Sequence, residues 1–202
     1  MESFDRRLHH LMQTASQTFA ERGFNATSMR DLSAACGMSL AGIYHYVRSK
    51  QELLGLIQDR CFVEVLAGAH AAVDAASGPE ARLRAFIRHH VVYFTGHMGE
   101  MKVLAHEEAQ LEGAMRSQVR RRKKEYVALL SGLLAAVDRP SVDPKVAAYA
   151  LFGMINWIYT WYQPGGAIPP DRLADQLAEL FLSGYTDSRP AAGGPSRPRA
   201  GE

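Results

Sequence analysis

Apolar side chains recur along this chain at steps of three and four residues, and this period constrains the fold more than any other feature. The first such stripe comprises Phe4, Leu8, Leu11, Met12, Ala15 and Phe19. Steps of three and four place side chains on one face of an α-helix. No window shows the sustained alternation of apolar and polar β-branched residues that a half-buried strand needs. The chain is therefore predicted to be all-α.

Capping residues and glycines predict where the helices begin and end. Thr27, Ser28 and Ser39 are of the types that cap helix N-termini, and Ser49 with Glu52 three residues later has the spacing of a capping box. The helices are predicted at roughly 4–22, 28–36, 39–46, 49–75, 80–95, 100–109, 114–137, 143–162 and 170–184. Residues 187–202 are rich in proline and glycine and are predicted to be a disordered tail.

The second and third predicted helices are short and lie on either side of a turn that contains Gly37. Small residues such as Ala34, Ala35, Ala41 and Gly42 allow the two helices to cross closely. Two short helices around such a turn are typical of a helix-turn-helix, whose second helix has the right size to lie in the major groove of DNA. The sequence therefore predicts a DNA-binding unit near the N-terminus.

Motifs in the first 55 or so residues resemble the N-terminal signature of the TetR family of transcriptional regulators. They are the stretch from Phe19 to Thr27, the turn at Gly37, Gly42 to Tyr46, and Ser49 to Leu53. The resemblance implies a helix-turn-helix domain over residues 1–48, a helical ligand-binding and dimerisation domain over 49–186, and a homodimer that binds double-stranded operator DNA. Val47 stands where the family most often has Phe, so the packing at the end of the recognition helix is expected to differ slightly.

The same resemblance assigns the DNA-binding residues. Ser39, Leu40, Ala41, Tyr44 and His45 are expected on the side that faces the groove, and Thr27, Ser28, Arg30, Tyr46 and Lys50 nearer the phosphates. The recognition helix contains none of the Arg, Lys, Asn or Gln side chains that read bases with two hydrogen bonds. Thymine methyl contacts and DNA shape are therefore expected to carry part of the specificity.

The segment from Ala147 to Gly166 is apolar on nearly every side, which predicts burial on two sides. In the TetR family the last two helices form the interface between subunits. The next predicted helix has a matching apolar stripe of Leu173, Leu177, Leu180 and Phe181. The resemblance therefore implies that these two helices build the homodimer.

The residues from Phe152 to Trp157 and from Trp161 to Gly166 also resemble a TetR subgroup that responds to acyl-CoA thioesters of lipid, fatty-acid or steroid catabolism. This second resemblance implies a small-molecule effector, and no resident cofactor or metal. The expected ligand-binding residues are Phe94, Met98, Met101, Leu104, Met115, Arg116, Arg120, Asn156, Trp157, Trp161 and Tyr162. The alternative is that the aromatic residues are core and that the basic run at 120–124 is a solvated face.

Several other classes of function find little support in the sequence. The net charge of +2 gives no global bias toward nucleic acid, and the two cysteines, Cys36 and Cys61, lack metal-ligand spacing. The stretch beginning at His106 has the first His and Glu of H-E-x-x-H but not the second His, and no common catalytic motif is present. We expect a cytoplasmic repressor without a membrane span. A drug-responsive efflux repressor and a helical acyl-CoA or lipid carrier without DNA function remain the alternatives.

Overall fold

The computed structural model describes residues 2–137 and 142–186, and within these ranges the chain is helical without strands. The predicted tail at 187–202 lies outside the described residues. The helices are α1 (Glu2–Arg22), α2 (Met29–Cys36), α3 (Leu40–Tyr44), α4 (Lys50–Asp74), α5 (Pro79–Gly96), α6 (Met98–His106), α7 (Gly113–Ala136), α8 (Pro144–Asn156) and α9 (Pro170–Thr186). The predicted all-α class is confirmed.

The three predicted serine caps are present at the starts of α2, α3 and α4. The Ser28 hydroxyl accepts a hydrogen bond from Asp31 N, and the Asp31 carboxylate accepts one from Ser28 N, which completes a capping box. Ser39 Oγ accepts from Gly42 N. Ser49 Oγ accepts from Glu52 N, whereas the Glu52 carboxylate accepts from Arg48 N rather than from Ser49. Each cap supplies an acceptor to a helix N-terminal N–H that would otherwise lack one.

Three helices, α3, α6 and α8, end earlier than the sequence pattern predicts, and α6 stops at His106 instead of 109. The segment expected to be one helix over 143–162 ends as α8 at Asn156 and continues as a 3-10 turn over Trp157–Thr160. Aromatic and β-branched residues favour helix weakly, and this run is followed by Pro164 and by Gly165 at φ +80°. The third helix ends at Tyr44 instead of 46, because Tyr46 N bonds back to Ile43 O over three residues.

The first three helices enclose a small apolar core of their own. Leu11 and Phe19 of α1 meet Leu32 of α2 and Ile43 of α3, and each of these side chains is at most 1% exposed. Val47 is also 1% exposed, so the smaller side chain at this position still fills part of the core. This core holds α3 against α1 and α2 and leaves its outer side to solvent.

The remaining helices pack around α5, which contacts α4, α7, α8 and α9. Their shared core includes fully buried Leu83, Phe86 and Ile87 of α5 with Leu130 and Leu134 of α7. The helical units are also joined directly, because α1 packs against α6 and Phe24 N donates to the carboxylate of Glu107 at 3.1 Å. Along the described residues, no helix is both long enough and apolar enough to cross a bilayer.

The single chain buries α8 on one side only. Ala148, Leu151 and Ile155 are fully buried, whereas Tyr149 is 58% and Trp157 59% exposed. Burial on two sides, which the sequence predicts, therefore requires a further surface that the isolated chain does not supply.

Candidate DNA-binding face and effector cavity

The turn between α2 and α3 is fixed by glycine and by backbone hydrogen bonds. Gly37 has φ +63°, a left-handed conformation that residues with a Cβ rarely adopt. Gly37 N donates to Ala34 O, and Met38 N donates to Ser33 O, which is the Schellman arrangement at a helix end. The Ser33 hydroxyl also donates to Met38 O. The angle at which α3 leaves α2 is therefore set locally.

The residues predicted to face the groove form the solvent side of α3. Ser39, Ala41, Tyr44 and His45 are exposed and Leu40 is half-buried. Tyr44 is 48% exposed, so its ring and hydroxyl are accessible to a partner. The Ser39 hydroxyl accepts the cap bond and retains its own proton for a donor role. The five predicted residues are thus brought together on one surface.

The residues predicted to lie near phosphates differ in their exposure to solvent. Ser28 and Arg30 are exposed, Tyr46 and Lys50 are half-buried, and Thr27 is buried. Ser28 and Arg30 are exposed at the start of α2, and the Ser28 hydroxyl and backbone lower the pKa of Asp31 through hydrogen bonds. Thr27 is 1% exposed, and its hydroxyl donates to Gly23 O, so that side chain supports the loop before α2. Tyr46 is half-buried, with its ring centroid 4.6 Å from that of Phe4.

Lys50 is held inside the fold by three contacts. Its Nζ donates to Phe24 O at 2.6 Å and to Thr27 O at 2.7 Å, and it lies 4.2 Å from the centroid of the Phe24 ring. The ammonium thereby joins the start of α4 to the loop between α1 and α2. The sequence analysis expects Lys50 near DNA phosphates, whereas in the structure its ammonium is bound to backbone carbonyls of the protein itself.

Arg48 is a candidate that the sequence reasoning missed. It follows α3 directly, its side chain is exposed, and its backbone N–H is held by the Glu52 carboxylate. The signal was available in the sequence, since Arg48 is the first cationic residue after the recognition helix. A guanidinium at this place is suited to a DNA phosphate.

A cavity of about 510 Å³ lies among α4, α5, α6, α7 and α8. Its interior is aromatic and apolar, and its buried lining consists of Phe62, His90, Phe94, Met101, Tyr126 and Phe152. The exposed lining residues include Lys123, Tyr149, Gly153, Asn156 and Trp157, which mark the side open to solvent. The cavity is therefore an apolar chamber with a partly polar rim, as is common for small-molecule sites.

Two cationic side chains of α7, Lys123 and Arg120, lie close together at this rim. Lys123 lines the cavity, and its Nζ donates to Glu108 Oε2 at 2.6 Å. Arg120, one turn earlier on α7, donates from Nε to Glu108 Oε1 at 3.1 Å. The Lys123 hydrogen bond is the largest cause that lowers the pKa of Glu108, with Arg120 contributing. These exposed ion pairs are weakly held and are open to exchange with an anionic ligand.

Five of the predicted ligand-binding residues line the cavity, namely Phe94, Met101, Leu104, Asn156 and Trp157. Two of the predicted methionines lie elsewhere. Met98 lines an open groove between α1 and α6, and Met115 packs over Gly55 of α4, where an added Cβ would come within 2.1 Å of its Cγ. Met115 therefore fills the contact between α4 and α7.

Four more predicted residues also lie outside the cavity lining. Tyr162 is buried, and its hydroxyl donates to Ile168 O at 3.0 Å, while Trp161 is 50% exposed. Arg116 is half-buried, with a buried Nε that has no hydrogen-bonding partner among the described atoms. Arg120 reaches the rim only through Glu108. The early end of α8 explains why Trp161 and Tyr162 lie outside the cavity lining, because the chain turns away from the chamber after Thr160.

The sequence reasoning did not single out four buried ring side chains of the chamber, which are Phe62, His90, Tyr126 and Phe152. They lie on four different helices, and no local spacing connects them. Over residues 2–137 and 142–186, no three His, Cys, Asp or Glu side chains form a group that could hold a metal ion.

An exposed helix-turn-helix beside a helical domain with an apolar chamber defines the class of a ligand-responsive DNA-binding regulator. The model of the bacterial regulatory proteins of the tetR family matches residues 11–57, and the tetracyclin repressor-like C-terminal domain matches residues 76–185. The chain therefore belongs to the TetR family. It is a transcriptional regulator rather than an enzyme, like the relatives it matches.

One relative and two solved structures give the likeness more detail. The transcriptional repressor KstR2 of Mycolicibacterium smegmatis is 26% identical over 192 residues, which is 91% of this chain and 92% of the relative. The crystal structure of AibR in complex with isovaleryl coenzyme A and operator DNA is 33% identical, with a TM-score of 0.76, over 86% of this chain and 97% of AibR. KstR2 of Mycobacterium tuberculosis shares the fold, with a TM-score of 0.82 at 23% identity, over 88% of this chain and 94% of that one.

Proposed function

We propose that this protein is a homodimeric repressor that binds a near-palindromic operator and releases it when a CoA thioester occupies the cavity. One observation carries the proposal, namely an apolar chamber of about 510 Å³ with a lysine at its rim. Such a chamber suits an acyl group inside and phosphate groups outside. The likeness to AibR, whose structure holds isovaleryl coenzyme A and operator DNA, supports the same combination.

The DNA-binding domain is assigned to residues 1–48 and the effector domain to 49–186. The groove contacts are assigned to Ser39, Leu40, Ala41, Tyr44 and His45 on the exposed side of α3. Ser28, Arg30, Tyr46 and Arg48 surround this side and supply phosphate contacts. Thr27 and Lys50 are left out because their polar groups are bound inside the protein.

The dimer is assigned to the exposed apolar surface of α8 and α9. Val146 is 62%, Tyr149 58%, Trp157 59% and Leu180 69% exposed in the single chain. Val146 and Tyr149 lie on α8, Trp157 directly follows it, and Leu180 lies on α9, and large exposed apolar groups are typical of a subunit interface. Leu173 and Leu177 of the predicted α9 stripe are buried within the chain, which leaves Leu180 as its most exposed member. Two recognition helices about 34 Å apart would then enter successive major grooves.

Effector binding begins at the rim. The acyl group enters among Phe94, Met101 and Phe152, where apolar surface leaves water. Lys123 and Arg120 exchange Glu108 for a CoA phosphate, because both cations already lie together and their ion pairs are exposed.

Replacing Lys123 by Met should weaken binding of a CoA thioester about tenfold without changing operator affinity. Lys124→Met is the matched control, since Lys124 is exposed on the same helix but does not line the cavity.

Release follows a short path from the cavity to the DNA-binding domain. Leu104, Ala105 and His106 line the cavity, and Glu107 directly after them accepts the Phe24 N–H. A ligand that displaces the end of α6 therefore moves the loop before α2 and the start of α4, whose Lys50 is bound to the same loop. Glu107→Gln weakens this connection. The variant should bind thioester as the wild type does but release operator at a higher thioester concentration.

The deciding experiment is fluorescence anisotropy of the full chain on DNA that flanks its own gene. Binding should weaken steeply with salt, because phosphate contacts release counterions. A CoA thioester should then abolish binding where free CoA and the free acid do not. A coupling of roughly 1–3 kcal/mol corresponds to release of about 5- to 150-fold. Operator binding that no CoA thioester relieves would contradict the effector class and retain the repressor.

A further inference from the structure

His90 is a polar residue in the deepest part of the aromatic chamber. It lies on α5, is 1% exposed, and lines the cavity. Its ring centroid is 4.7 Å from that of Phe94 and 5.8 Å from that of Phe152. A larger apolar residue would fill this position equally well in a plain core, so the imidazole needs a separate explanation.

One side of the imidazole is bound inside the protein. His90 Nδ1 lies 3.0 Å from the hydroxyl of Tyr126, which is buried in the same lining. A buried tyrosine hydroxyl needs an acceptor for its proton, and Nδ1 is the acceptor that this geometry supplies. Tyr126 therefore donates to Nδ1, and in a neutral ring the proton is then carried by Nε2.

The other side of the imidazole lacks a complete hydrogen bond. His90 Nε2 is buried and makes no hydrogen bond with the described part of the chain. Leaving a buried donor unpaired costs about 1–3 kcal/mol, so an unpaired Nε2 in this position needs an explanation. The side chain of Asn156, on the rim of the same cavity, interacts with the His90 ring and raises its pKa, although it does not complete a hydrogen bond with Nε2. Two polar side chains thus converge on an otherwise apolar space.

We propose that His90 is the specificity-determining residue of the effector site, with its Nε2–H donating a hydrogen bond to the carbonyl oxygen of a thioester. This inference rests on the proposed function, because it takes a CoA thioester as the effector. Tyr126 is the positioning residue, since it fixes which ring nitrogen carries the proton.

The charge state of His90 favours a neutral acceptor. Burial, reinforced by the neighbouring His89, lowers the pKa of His90 to about 3, and Asn156 opposes this only partly. The ring is therefore uncharged at neutral pH and offers no compensating charge to a carboxylate. Burying an ionised carboxylate beside it would cost far more than burying a thioester carbonyl. The site should accordingly prefer thioesters to free acids.

The test compares two ligands that differ at one group. Isovaleryl-CoA carries the thioester carbonyl, and S-(3-methylbutyl)-CoA has a methylene in its place. Isothermal titration of the full wild-type chain should give about tenfold tighter binding of the thioester, which corresponds to about 1.4 kcal/mol. His90→Phe should bind the two ligands equally.

Two further variants keep the test decisive. His90→Phe leaves the Tyr126 hydroxyl unpaired, whereas His90→Phe combined with Tyr126→Phe removes both partners and should fold normally while showing no preference. His70→Phe makes the same replacement at an exposed position of α4 outside the cavity lining and should retain the tenfold preference. Equal binding of both ligands by the wild type, or a preference that survives in the double variant, would overturn the role of His90. Binding of neither ligand would reject the proposed effector class, and this assignment with it.

Discussion

Replacing Lys50 by Met separates an internal role for this cation from a DNA contact. The substitution keeps the aliphatic stem but removes the donor to Phe24 O and Thr27 O, and with it the contact to the Phe24 ring. Hydrogen bonds from a charged donor contribute roughly 1.5–3 kcal/mol each when well shielded. Lys50 is only partly buried, which reduces their combined contribution to about 2 kcal/mol.

Urea denaturation followed by circular dichroism at a fixed protein concentration measures this loss. The midpoint should fall without a change in slope, and the thermal midpoint should fall by about 4–8 °C for a chain of this size. The protein concentration is held constant because dimerisation contributes to apparent stability.

Operator binding by the same variant, measured across a range of salt concentrations, decides between the two roles. If Lys50 is internal, the slope of log affinity against log salt stays at the wild-type value. Each lost phosphate contact lowers the slope by about 0.9. Arg30→Met is the matched control, since Arg30 is exposed near the same loop and should reduce the slope without loss of stability. A reduced slope with unchanged stability in Lys50→Met would refute the internal role.

Two more predictions concern the buried histidine and the apolar surface. His90 has a folded pKa of about 3 against an ordinary value near 6.5, so below about pH 6.5 the unfolded chain binds the proton that the folded chain refuses. Folding stability should thus fall by about 2 kcal/mol from pH 7 to pH 5 through this group. That fall should be absent from the His90→Phe, Tyr126→Phe double variant in parallel urea titrations, and an equal fall in both proteins would contradict it. Leu180→Glu should yield monomers in sedimentation analysis and lose operator affinity, whereas Ser117→Glu on α7 should remain dimeric; a dimeric Leu180→Glu would exclude this surface.

Local chemistry explains why the helices could be predicted so closely from the sequence. The caps at Ser28, Ser39 and Ser49 depend on partners three residues away, and the turn at Gly37 depends on the conformational freedom of that one residue. The ends of α3 and α8 were predicted too far along the chain. At both places apolar periodicity continues past the point where three-residue hydrogen bonds enter the backbone, as from Tyr46 N to Ile43 O and from Trp161 N to Ile158 O.

The amino-acid sequence by itself determined the helical class and the helix-turn-helix, because these follow from spacing and short-range hydrogen bonds. Tertiary structure decided which side chains share a space. Lys50 meets carbonyls 23 and 26 residues earlier, and His90 meets Tyr126 across 36 residues. Contacts between residues so far apart in the sequence leave no local sequence pattern from which they could be predicted. The chamber and its unpaired donor exist only where five helices converge, since packing between distant segments, and not residue type, determines whether an imidazole is a core residue or a ligand contact.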